Sequence, residues 1–318
     1  MKFYVKSIAF ATALLSSSFA MAAYPEQPIK LIVPFAANGT ADLLTKIVAE
    51  PLGKELGTTV TLETVAGNSG RIGTTDMLSA EADGYTLAIT TISSLVTAND
   101  TSKSEYDALA DFQHVANIAD VPNVLIVRKE FPANNFKDFL EEVKKSKGKY
   151  NYGSSGADGM QHFLMEYLKN SAKVSISHVP YRGGGPAVKD VVKGSLDMVL
   201  VPISAAYSNI QHGDVKVIAL DAPSRLKTIP DVPTFKELGF EDMKSYTYYG
   251  ISGPKGLGKD VTKKLSEAIV KVVNMSDVKA KIEATGANPN PVVAEQYTKM
   301  IEKDKAAYEK MQSVMNKN

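Results

Sequence analysis

The chain has 318 residues, no cysteine and four histidines, and its 36 Lys and Arg residues are balanced by 35 Asp and Glu residues. The lack of cysteine excludes disulfides and thiol chemistry, and four scattered histidines leave little for a transition-metal site. Because the charge is balanced, the composition indicates neither nucleic acid nor an anionic membrane as a partner. With 44% hydrophobic residues the chain depends on a core, and its length predicts two domains.

The first residues have the pattern of a secretory signal peptide. Lys2 and Lys6 precede an apolar run from Ile8 to Leu15, and Ala20-Met21-Ala22 supplies the small residues that signal peptidase requires. The run is too short to span a bilayer, which takes about 20 residues, and the chain has no cysteine for lipid attachment. We therefore expect removal of residues 1–22 and a soluble mature protein in the periplasm of a Gram-negative bacterium.

Short β-branched segments alternate with longer amphipathic ones along the rest of the chain. This alternation is typical of α/β proteins with largely parallel sheets. The predicted strands, in chain order, are Ile29–Pro34, Val60–Val65, Tyr85–Thr91, Val115–Val127, Tyr150–Gly153, Ile176–Pro180, Met198–Val201, Val217–Asp221 and Tyr246–Ser252. The predicted fold class is α/β with mixed, mostly parallel sheets.

Two of the predicted helices have clear boundaries. The first begins near Asp42 and ends at Gly57, a usual C-terminal stop. Its apolar face consists of Leu43, Leu44, Ile47 and Val48. The last helix covers Ala294–Lys317, and Asp304 is the only polar residue in its apolar stripe, which consists of Tyr297, Ile301, Tyr308, Met311 and Met315. This stripe predicts a terminal helix that packs one side on the core.

Two extended segments are the candidates for crossings between domains, because the chain has no flexible Gly/Ser linker. Val115–Val127 is a long extended run broken by Pro122, and Ser245–Ser252 returns before the C-terminal helices. If the chain crosses at both, lobe 1 comprises 23–122 and 247–318, and lobe 2 comprises 123–246, inserted within lobe 1. Proteins with two such hinges can close like jaws on a ligand.

Two strand-to-helix loops, Pro34–Asp42 and Tyr152–Gly159, are rich in small residues. Such loops present unpaired backbone N–H groups at the positive end of a helix dipole, which suits them to bind a carboxylate. Further small-residue turns occur at Gly67–Gly73, Thr91–Ser94 and Pro180–Pro186. Arg71 and Arg182 lie in two of these turns, and a guanidinium can bind a carboxylate bidentately. An ordinary solvated surface residue is the favoured interpretation of each arginine on its own.

Enzyme motifs are incomplete in this sequence. Gly253–Asp260 nearly matches a phosphate-binding P-loop, but Asp260 replaces the Ser or Thr that would bind Mg²⁺. A serine hydrolase would need a nucleophile and a base from Ser154, Ser155, His162 and His178, yet the G-x-S-x-G elbow is absent. The histidines also lack metal-ligand spacing. We therefore expect no enzyme activity, no cofactor and no metal.

Six blocks of sequence, in the same order, resemble the substrate-binding proteins of tripartite tricarboxylate transporters, the Bug family. They cover nearly all of the chain after the signal, and they are Tyr24-Pro25 with Pro28–Phe35, Ala82–Leu87, Val121–Leu125, Tyr150–Gly156 with Gln161-His162, His178–Ala187, and Ile229–Thr234 with Leu238–Phe240. The resemblance implies a two-lobe Venus flytrap of the type II periplasmic-binding-protein-like fold. It also implies delivery of small carboxylates to a two-component membrane permease.

The resemblance further implies where the ligand binds. In that family, main-chain groups and ordered waters hold the ligand carboxylate between the two strand-to-helix loops, with hydroxyl-bearing residues nearby. Two charged positions at which this sequence departs from the family extend the set carried over by position. The predicted ligand-binding residues are Phe35, Ala36, Asn38, Gly39, Asp42, Arg71, Ser93, Ser94, Ser154, Ser155, Gly156, Tyr181 and Asp221.

Three departures from the family pattern bear on specificity. Ala37, Asn38 and Ala41 replace a proline, a glycine and a threonine of the first loop, and asparagine tolerates the left-handed backbone that a glycine turn needs. Arg71 stands where a neutral Asn is common, so it is a candidate to pair with a second carboxylate. Asp221 stands where Thr or Ser is common, so it is a candidate to recognise an ammonium group. The sequence does not rank a dicarboxylate against an amino acid.

The sequence as a whole predicts a binding protein that closes on a small organic acid. The implied ligand classes are dicarboxylates, tricarboxylates, aromatic acids and amino acids, and the implied partner is a permease with a large and a small subunit. Two alternatives remain open at this point. One is a ligand sensor that acts with a two-component receptor, and the other is a serine esterase that uses Ser154 or Ser155. We expect a monomer with no nucleic-acid partner.

Overall fold

The computed structural model describes residues 24–97, 106–243 and 246–315. The predicted signal peptide, 1–22, and residues 316–317 of the predicted terminal helix lie outside the described residues. The strands within them are β1 (Ile29–Val33), β2 (Val60–Thr64), β3 (Thr86–Thr90), β4 (Phe112–Arg128), β5 (Asn151–Ser154), β6 (Ser177–Pro180), β7 (Met198–Pro202), β8 (Val215–Asp221), β9 (Tyr246–Pro254) and β10 (Asn288–Val293). The helices are α1 (Thr40–Leu56), α2 (Arg71–Leu78), α3 (Ile92–Leu95), α4 (Phe136–Lys145), α5 (Met160–Ala172), α6 (Gly184–Val192), α7 (Tyr207–His212), α8 (Lys259–Val273), α9 (Ser276–Glu283) and α10 (Ala294–Met315).

The strands form two sheets that share β4. In the first sheet, β1 pairs in parallel with β2 and β3, whereas β9 is antiparallel to β3 and β4, and β10 lies along β4. In the second sheet, β5 pairs in parallel with β6 and β7, whereas β7 and β8 are antiparallel to β4. The predicted two-lobe α/β fold with mixed sheets is therefore confirmed, with parallel pairing in the outer part of each sheet.

Strand β4 changes sheet between Pro122 and Asn123. Its register with β9 runs from Phe112 opposite Pro254 to Pro122 opposite Tyr246. From Asn123 onward the same strand pairs with β7 and β8. We call the first sheet with its helices lobe 1 and the second sheet with its helices lobe 2. The predicted lobe boundary falls at the same position, and the division of the chain into those residue ranges stays a prediction.

Helix α1 follows β1 and packs its apolar face on the first sheet. Leu44 and Val48 of the predicted face are buried. The helix begins at Thr40, slightly before the predicted start, because Gly39 supplies the extended N-cap. It ends as predicted where Gly57 adopts a left-handed conformation with a φ of 73°. The result is a helix whose N-terminal end lies at the carboxyl end of a buried strand.

The C-terminal helix α10 packs along the first sheet as its apolar stripe predicts. Tyr297, Ile301 and Tyr308 are buried. Asp304 is half-buried within the same stripe, and burial raises its pKa to about 6. No helix in the described part of the chain is both long enough and apolar enough to cross a membrane.

Strand β10 is the element that the sequence pattern did not indicate. It contains Pro289 and Pro291, which cannot donate ladder hydrogen bonds, so its sequence does not resemble a strand. Within the described residues the strand pairs only with β4, with a register shift between Pro289 and Val292. Proline is tolerated at such an edge because the missing N–H group does not interrupt a central ladder.

Candidate ligand-binding site between the lobes

A small cavity lies where the two lobes face each other. Its lining from lobe 1 consists of Phe35, Gly39, Thr40, Ala41, Thr91, Ser93, Thr247 and Tyr249. Its lining from lobe 2 consists of Ser155, Gln161, Gly184, Pro202 and Ala205. None of these lining residues has a charged side chain. The charge of an ionic ligand must therefore be met by main-chain groups and neutral side chains.

Two helices begin at this cavity, one from each lobe. Thr40 and Ala41 are the first residues of α1, and Gly184 is the first residue of α6. Their N-cap residues, Gly39 and Gly183, form no side-chain capping bond. The first N–H groups of a helix have no intrahelical partner and lie at the positive end of its dipole. We call this part of the lining the helix-start wall, and its chemistry suits an anion.

The glycine-rich start of α6 packs directly on the loop before α1. Ala36 N–H donates a hydrogen bond to Arg182 O at 2.9 Å. A Cβ atom at Gly185 would lie 2.8 Å from Ala37 O and 2.8 Å from Asn38 C, which are main-chain atoms. Only glycine permits this approach of the two lobes. The contact closes one side of the cavity.

A second contact between the lobes joins the turn before α2 to the loop before α5. Ser69 Oγ donates to Ala157 O at 2.6 Å, and a Cβ atom at Gly156 would lie 2.6 Å from Ser69 N. Met160 N–H, the first of α5, donates to Ser93 Oγ at 3.1 Å. These bonds join residues that lie far apart in sequence, and they hold the lobes in a closed arrangement around the cavity.

The carboxylate of Asp42 holds the loop before α1 in place. Asn38 N–H donates to Asp42 Oδ2 at 2.8 Å, and Lys46 Nζ lies 2.8 Å from the same oxygen. The Lys46 ammonium offsets the negative charge that Asp42 brings to the start of α1. Asn38 has a φ of 62°, which is the left-handed conformation expected for this residue. Asp42 therefore holds the loop in shape and does not cap the helix.

Hydroxyl groups supplement the main-chain donors of the helix-start wall. Ser93 Oγ accepts the Met160 N–H, so the Ser93 proton remains available to another acceptor. Thr40 Oγ1 is buried beside Tyr249 and has no hydrogen-bond partner of ordinary geometry in the part of the chain that the structure describes. Burial raises the pKa of Tyr249, so its phenol stays neutral. A bound carboxylate would supply acceptors for these hydroxyls.

A network of buried side chains forms another part of the lining. Asn123 Nδ2 donates to Asp221 Oδ2 at 2.9 Å. Gln161 Nε2 donates to Asn123 Oδ1 at 3.1 Å and to Thr247 Oγ1 at 3.2 Å. The Thr247 hydroxyl donates to Asn123 Oδ1 at 3.1 Å. Gln161 and Thr247 line the cavity, with Asn123 and Asp221 behind them, and we call this set the amide wall.

The predicted ligand-binding residues are distributed between the cavity and its surroundings. Those that line the cavity are Phe35, Gly39, Ser93 and Ser155. Ala36, Asn38 and Gly156 belong to the contacts between the lobes. Ser94 is buried and shares a capping box with Thr91 at the start of α3. Direct ligand contact by any of these residues stays a prediction.

Three further predicted residues lie outside the lining of the cavity. Arg71 is the half-buried first residue of α2. The Tyr181 hydroxyl donates to Asp190 Oδ2 at 2.8 Å, and burial together with this bond raises the pKa of Tyr181 to about 12. Asp221 is fully buried behind Asn123. The structure therefore does not bring the two charged candidates, Arg71 and Asp221, to the cavity surface.

Ser154 lies beside two stacked histidines and is fully buried. Its Oγ donates to Gly156 O at 2.7 Å and lies 2.8 Å from His178 Nε2, and the His178 ring stacks on His162 at a centroid distance of 4.0 Å. Burial and the neighbouring His162 lower the pKa of His178 to about 4. This geometry holds the β5 loop and does not present a nucleophile to the cavity. Among the described residues, no cluster of three or more His, Asp or Glu side chains is placed to hold a metal ion.

Sequence reasoning did not select several of the lining residues. They are Thr40, Ala41, Thr91, Gln161, Gly184, Pro202, Ala205, Thr247 and Tyr249. Gln161 and Gly184 stand in segments that the family resemblance covers, but only the three-dimensional structure places them in the lining of the cavity. Thr247 and Tyr249 lie two residues apart on β9, and a two-residue period marks one face of a strand. That period was the only local sign of their shared orientation.

A two-lobed α/β fold with a strand common to both lobes and a cavity between them defines the class of periplasmic binding proteins. The sequence model of the tripartite tricarboxylate transporter family receptor, TctC, matches residues 44–316. The chain therefore belongs to the tripartite tricarboxylate transporter receptor family. This match confirms the resemblance to Bug proteins.

Individual relatives agree with that assignment. BugT of Bordetella pertussis is 28% identical over 287 residues, which cover 90% of this chain and 88% of BugT. A solved structure of a periplasmic transporter is 38% identical with a TM-score of 0.88, and the match covers 93% of this chain and 98% of the other. MatC from Rhodopseudomonas palustris, solved with bound malate, is 26% identical with a TM-score of 0.85, and the match covers 91% and 99% of the two chains.

Proposed function

We propose that this protein is a periplasmic receptor that captures a small organic acid by its carboxylate and delivers it to a tripartite tricarboxylate transporter permease. The observation that carries the proposal is the helix-start wall, where α1 and α6 begin with uncapped glycines at a cavity lined by neutral residues. The malate bound to MatC, a similar protein, supports a carboxylate as the ligand class.

The helix-start wall stabilises a carboxylate without a positively charged side chain. Unpaired N–H groups at the start of α1 and α6 donate to the carboxylate oxygens, and the two helix dipoles favour the negative charge. The Thr40 and Ser93 hydroxyls add two donors, neither of which donates with ordinary geometry to a protein acceptor within the described residues. Hydrogen bonds to an ionised group are about twice as strong as neutral ones, so a few suffice.

Closure of the lobes follows from where these donors lie. Thr40 belongs to lobe 1 and Gly184 to lobe 2, so a carboxylate that touches both contacts the closed form more extensively than the open form. Only such differential contacts shift an open–closed equilibrium toward the closed state. The glycine contact between Gly185 and the α1 loop then completes the closed surface, which the permease is proposed to recognise.

Delivery to a permease is supported by the family to which the chain belongs, whose name describes a transporter receptor. The predicted signal peptide and the similarity to a periplasmic transporter support a periplasmic location. We propose a permease with a large and a small membrane subunit as the partner, and a monomeric receptor. Uptake of labelled ligand by vesicles that contain the permease should depend on added receptor; uptake that is equal without it contradicts this step.

A binding screen with matched acids and amides tests the central part of the proposal. Purified protein lacking residues 1–22 is titrated by calorimetry and thermal unfolding with succinate, lactate, malate, aspartate and benzoate, and with the carboxamide of each. At least one acid should bind, with about 2.7 kcal/mol of stabilisation at a hundredfold excess over its Kd. Its carboxamide should bind about a hundredfold more weakly. Equal affinity for acid and amide contradicts recognition through the carboxylate.

A further inference from the structure

We infer that the acid bound by this protein carries a hydrogen-bond donor, either a hydroxyl or an ammonium group, and that Gln161 recognises this donor through its side-chain oxygen. The inference rests on the proposed function and names a substrate class within it. Its basis is the amide wall, in which each donor and acceptor direction is fixed by its neighbour. Asp221 acts in this wall as a positioning residue and does not touch the ligand.

The direction of the network is set at Asp221. This residue is fully buried at the end of β8, and its Oδ2 lies 2.9 Å from Asn123 Nδ2. A carboxylate oxygen accepts hydrogen bonds, so the amide nitrogen of Asn123 must face it. A reversed Asn123 would place its carbonyl oxygen against the carboxylate oxygen at hydrogen-bond distance, which is repulsive. Asn123 Oδ1 therefore points away from Asp221.

The orientation of Gln161 follows from that of Asn123. Gln161 Nε2 lies 3.1 Å from Asn123 Oδ1 and 3.2 Å from Thr247 Oγ1. The Thr247 hydroxyl gives its proton to Asn123 Oδ1 at 3.1 Å, so Thr247 accepts from Gln161. A reversed Gln161 would set two amide carbonyl oxygens against each other. Gln161 Oε1 therefore has no hydrogen-bond partner within the network.

Gln161 Oε1 forms no hydrogen bond within the described residues. Gln161 is only 2% exposed and lines the cavity, and both hydrogen bonds that it forms within the described residues use Nε2. Hydrogen bonds in a chain polarise one another, so the bonds from Asp221 through Asn123 to Gln161 strengthen the negative end of the amide dipole at Gln161 Oε1. When a bound ligand excludes water from the cavity, an acceptor without a partner is costly, and a ligand donor removes that cost.

One wall of the cavity therefore offers hydrogen-bond donors, and the other offers an acceptor. The helix-start wall offers N–H and O–H donors to a carboxylate, whereas the amide wall offers an oxygen that repels a carboxylate and attracts a donor. A plain aliphatic acid satisfies the first wall and leaves Gln161 Oε1 unpaired. A hydroxy acid or an amino acid satisfies both. Asp221 acts on the ligand through the two amides of Asn123 and Gln161, and no direct contact is needed.

Two sets of acids that share a carbon skeleton test the inference on the mature protein. The sets are propanoate, lactate and alanine, and succinate, malate and aspartate, each measured by isothermal calorimetry. In whichever set binds, the hydroxy or amino acid should bind at least about tenfold more tightly than the plain acid. Comparing the affinities for lactate and malate with those for alanine and aspartate shows whether the donor is a hydroxyl or an ammonium. A plain acid that binds as tightly as its substituted partners overturns the inference and leaves the carboxylate proposal standing.

Variants of the network give a second readout. Asp221→Asn removes the fixed acceptor, so Asn123 and Gln161 can reverse, and the selectivity ratio between substituted and plain acid should fall toward one. Asp197→Asn is the matched control, because Asp197 pairs with Arg128 in the same lobe and belongs to neither wall. Gln161→Met, which removes Oε1 at similar volume, should lower the ratio in the same way. A ratio retained in D221N and Q161M overturns the inference, whereas the absence of binding by every acid of the two sets and by benzoate overturns the proposed function itself.

Discussion

The two walls of the cavity obtain their polarity in different ways. The helix-start wall uses main-chain groups, so its chemistry depends on where α1 and α6 begin and on glycines that leave those N–H groups open. The amide wall uses side chains from β4, α5, β8 and β9, and its polarity depends on one buried carboxylate, Asp221. We propose that the first wall binds the carboxylate common to all candidate acids and that the second wall distinguishes one acid from another. In this proposal, general affinity and specificity depend on different parts of the cavity.

The largest effect is expected from blocking the contact that completes the helix-start wall. In Gly185→Ala the new Cβ would lie 2.8 Å from main-chain atoms of Ala37 and Asn38, which cannot move aside without shifting the α1 loop. The closed form is then disfavoured, and affinity for the tightest-binding acid should fall by roughly a hundredfold. Gly258→Ala is the control, because a Cβ at Gly258 meets no atom within 4 Å. Unchanged calorimetric affinity in G185A would mean that closure does not involve this contact.

A pH series distinguishes effects on the stability of the fold from effects on ligand affinity, since neither wall contains a histidine. Burial lowers the pKa of His114 from its ordinary value of 6.5 to about 4. The unfolded chain therefore takes up a proton as pH falls below about 6.5 while the folded chain does not, so the stability present above pH 6.5 is lost toward pH 4. Asp304, with a pKa raised to about 6, acts in the opposite direction and offsets part of the loss.

The contribution of His114 is isolated by comparison with His114→Gln. Between pH 6.5 and 4, the free energy of unfolding measured by urea titration should fall by about 2 kcal/mol less in this variant than in the wild type. Ligand affinity should change less than about threefold between pH 6 and 8 in both proteins, because the cavity lining contains no group that titrates there. Parallel stability curves for the two proteins would show that His114 is not the titrating group.

A smaller effect is expected from one hydroxyl of the helix-start wall. Thr40 Oγ1 is buried without a partner of ordinary geometry among the described residues, so Thr40→Val should remove an uncompensated polar group at nearly constant volume. The unliganded protein should then be as stable as the wild type or more stable by about 1 kcal/mol. Affinity for the acid should fall by about tenfold, because one donor to the carboxylate is lost. A fall in stability together with unchanged affinity would show that this hydroxyl serves the fold.

The smallest effect is expected at Arg71, which lies outside the lining of the cavity. Arg71→Ala should change the affinities for propanoate and succinate by equal factors, each less than about twofold, since neither wall uses its guanidinium. Calorimetric titration of the two acids checks this expectation. A loss confined to succinate would restore the direct role for Arg71 as the partner of a second carboxylate.

The helix-start wall was within reach of sequence reasoning, and the amide wall was not. The loop Pro34–Asp42 and the turn Pro180–Pro186 place glycines next to the start of a helix, and such glycines leave main-chain donors uncapped wherever the helix packs. Sequence reasoning assigned the second carboxylate loop to Tyr152–Gly159, whereas the structure opposes α1 with α6 and brings only Ser155 of that loop to the cavity. The choice between two similar loops depends on how the lobes pack.

The amide wall joins residues that share no local pattern. Asn123 and Thr247 are hydrogen-bonded across 124 positions of sequence, and the bond exists only because β4 and β9 pair at the point where β4 changes sheet. The sequence selected Asp221 as a charged residue where the family usually has a hydroxyl, and its role in specificity stays a prediction. The residue type alone does not show which group Asp221 faces. The sequence therefore suggested direct contact with the ligand, whereas in the structure the amides of Asn123 and Gln161 lie between Asp221 and the cavity.

A crystal structure of the mature protein with its tightest-binding acid tests the central claim most directly. The account predicts that the carboxylate oxygens lie within hydrogen-bond distance of main-chain N–H groups at the start of α1 and α6, and that a hydroxyl or ammonium of the same ligand donates to Gln161 Oε1. A carboxylate paired with the guanidinium of Arg71 or Arg182, or a ligand bound outside the cavity, would contradict it.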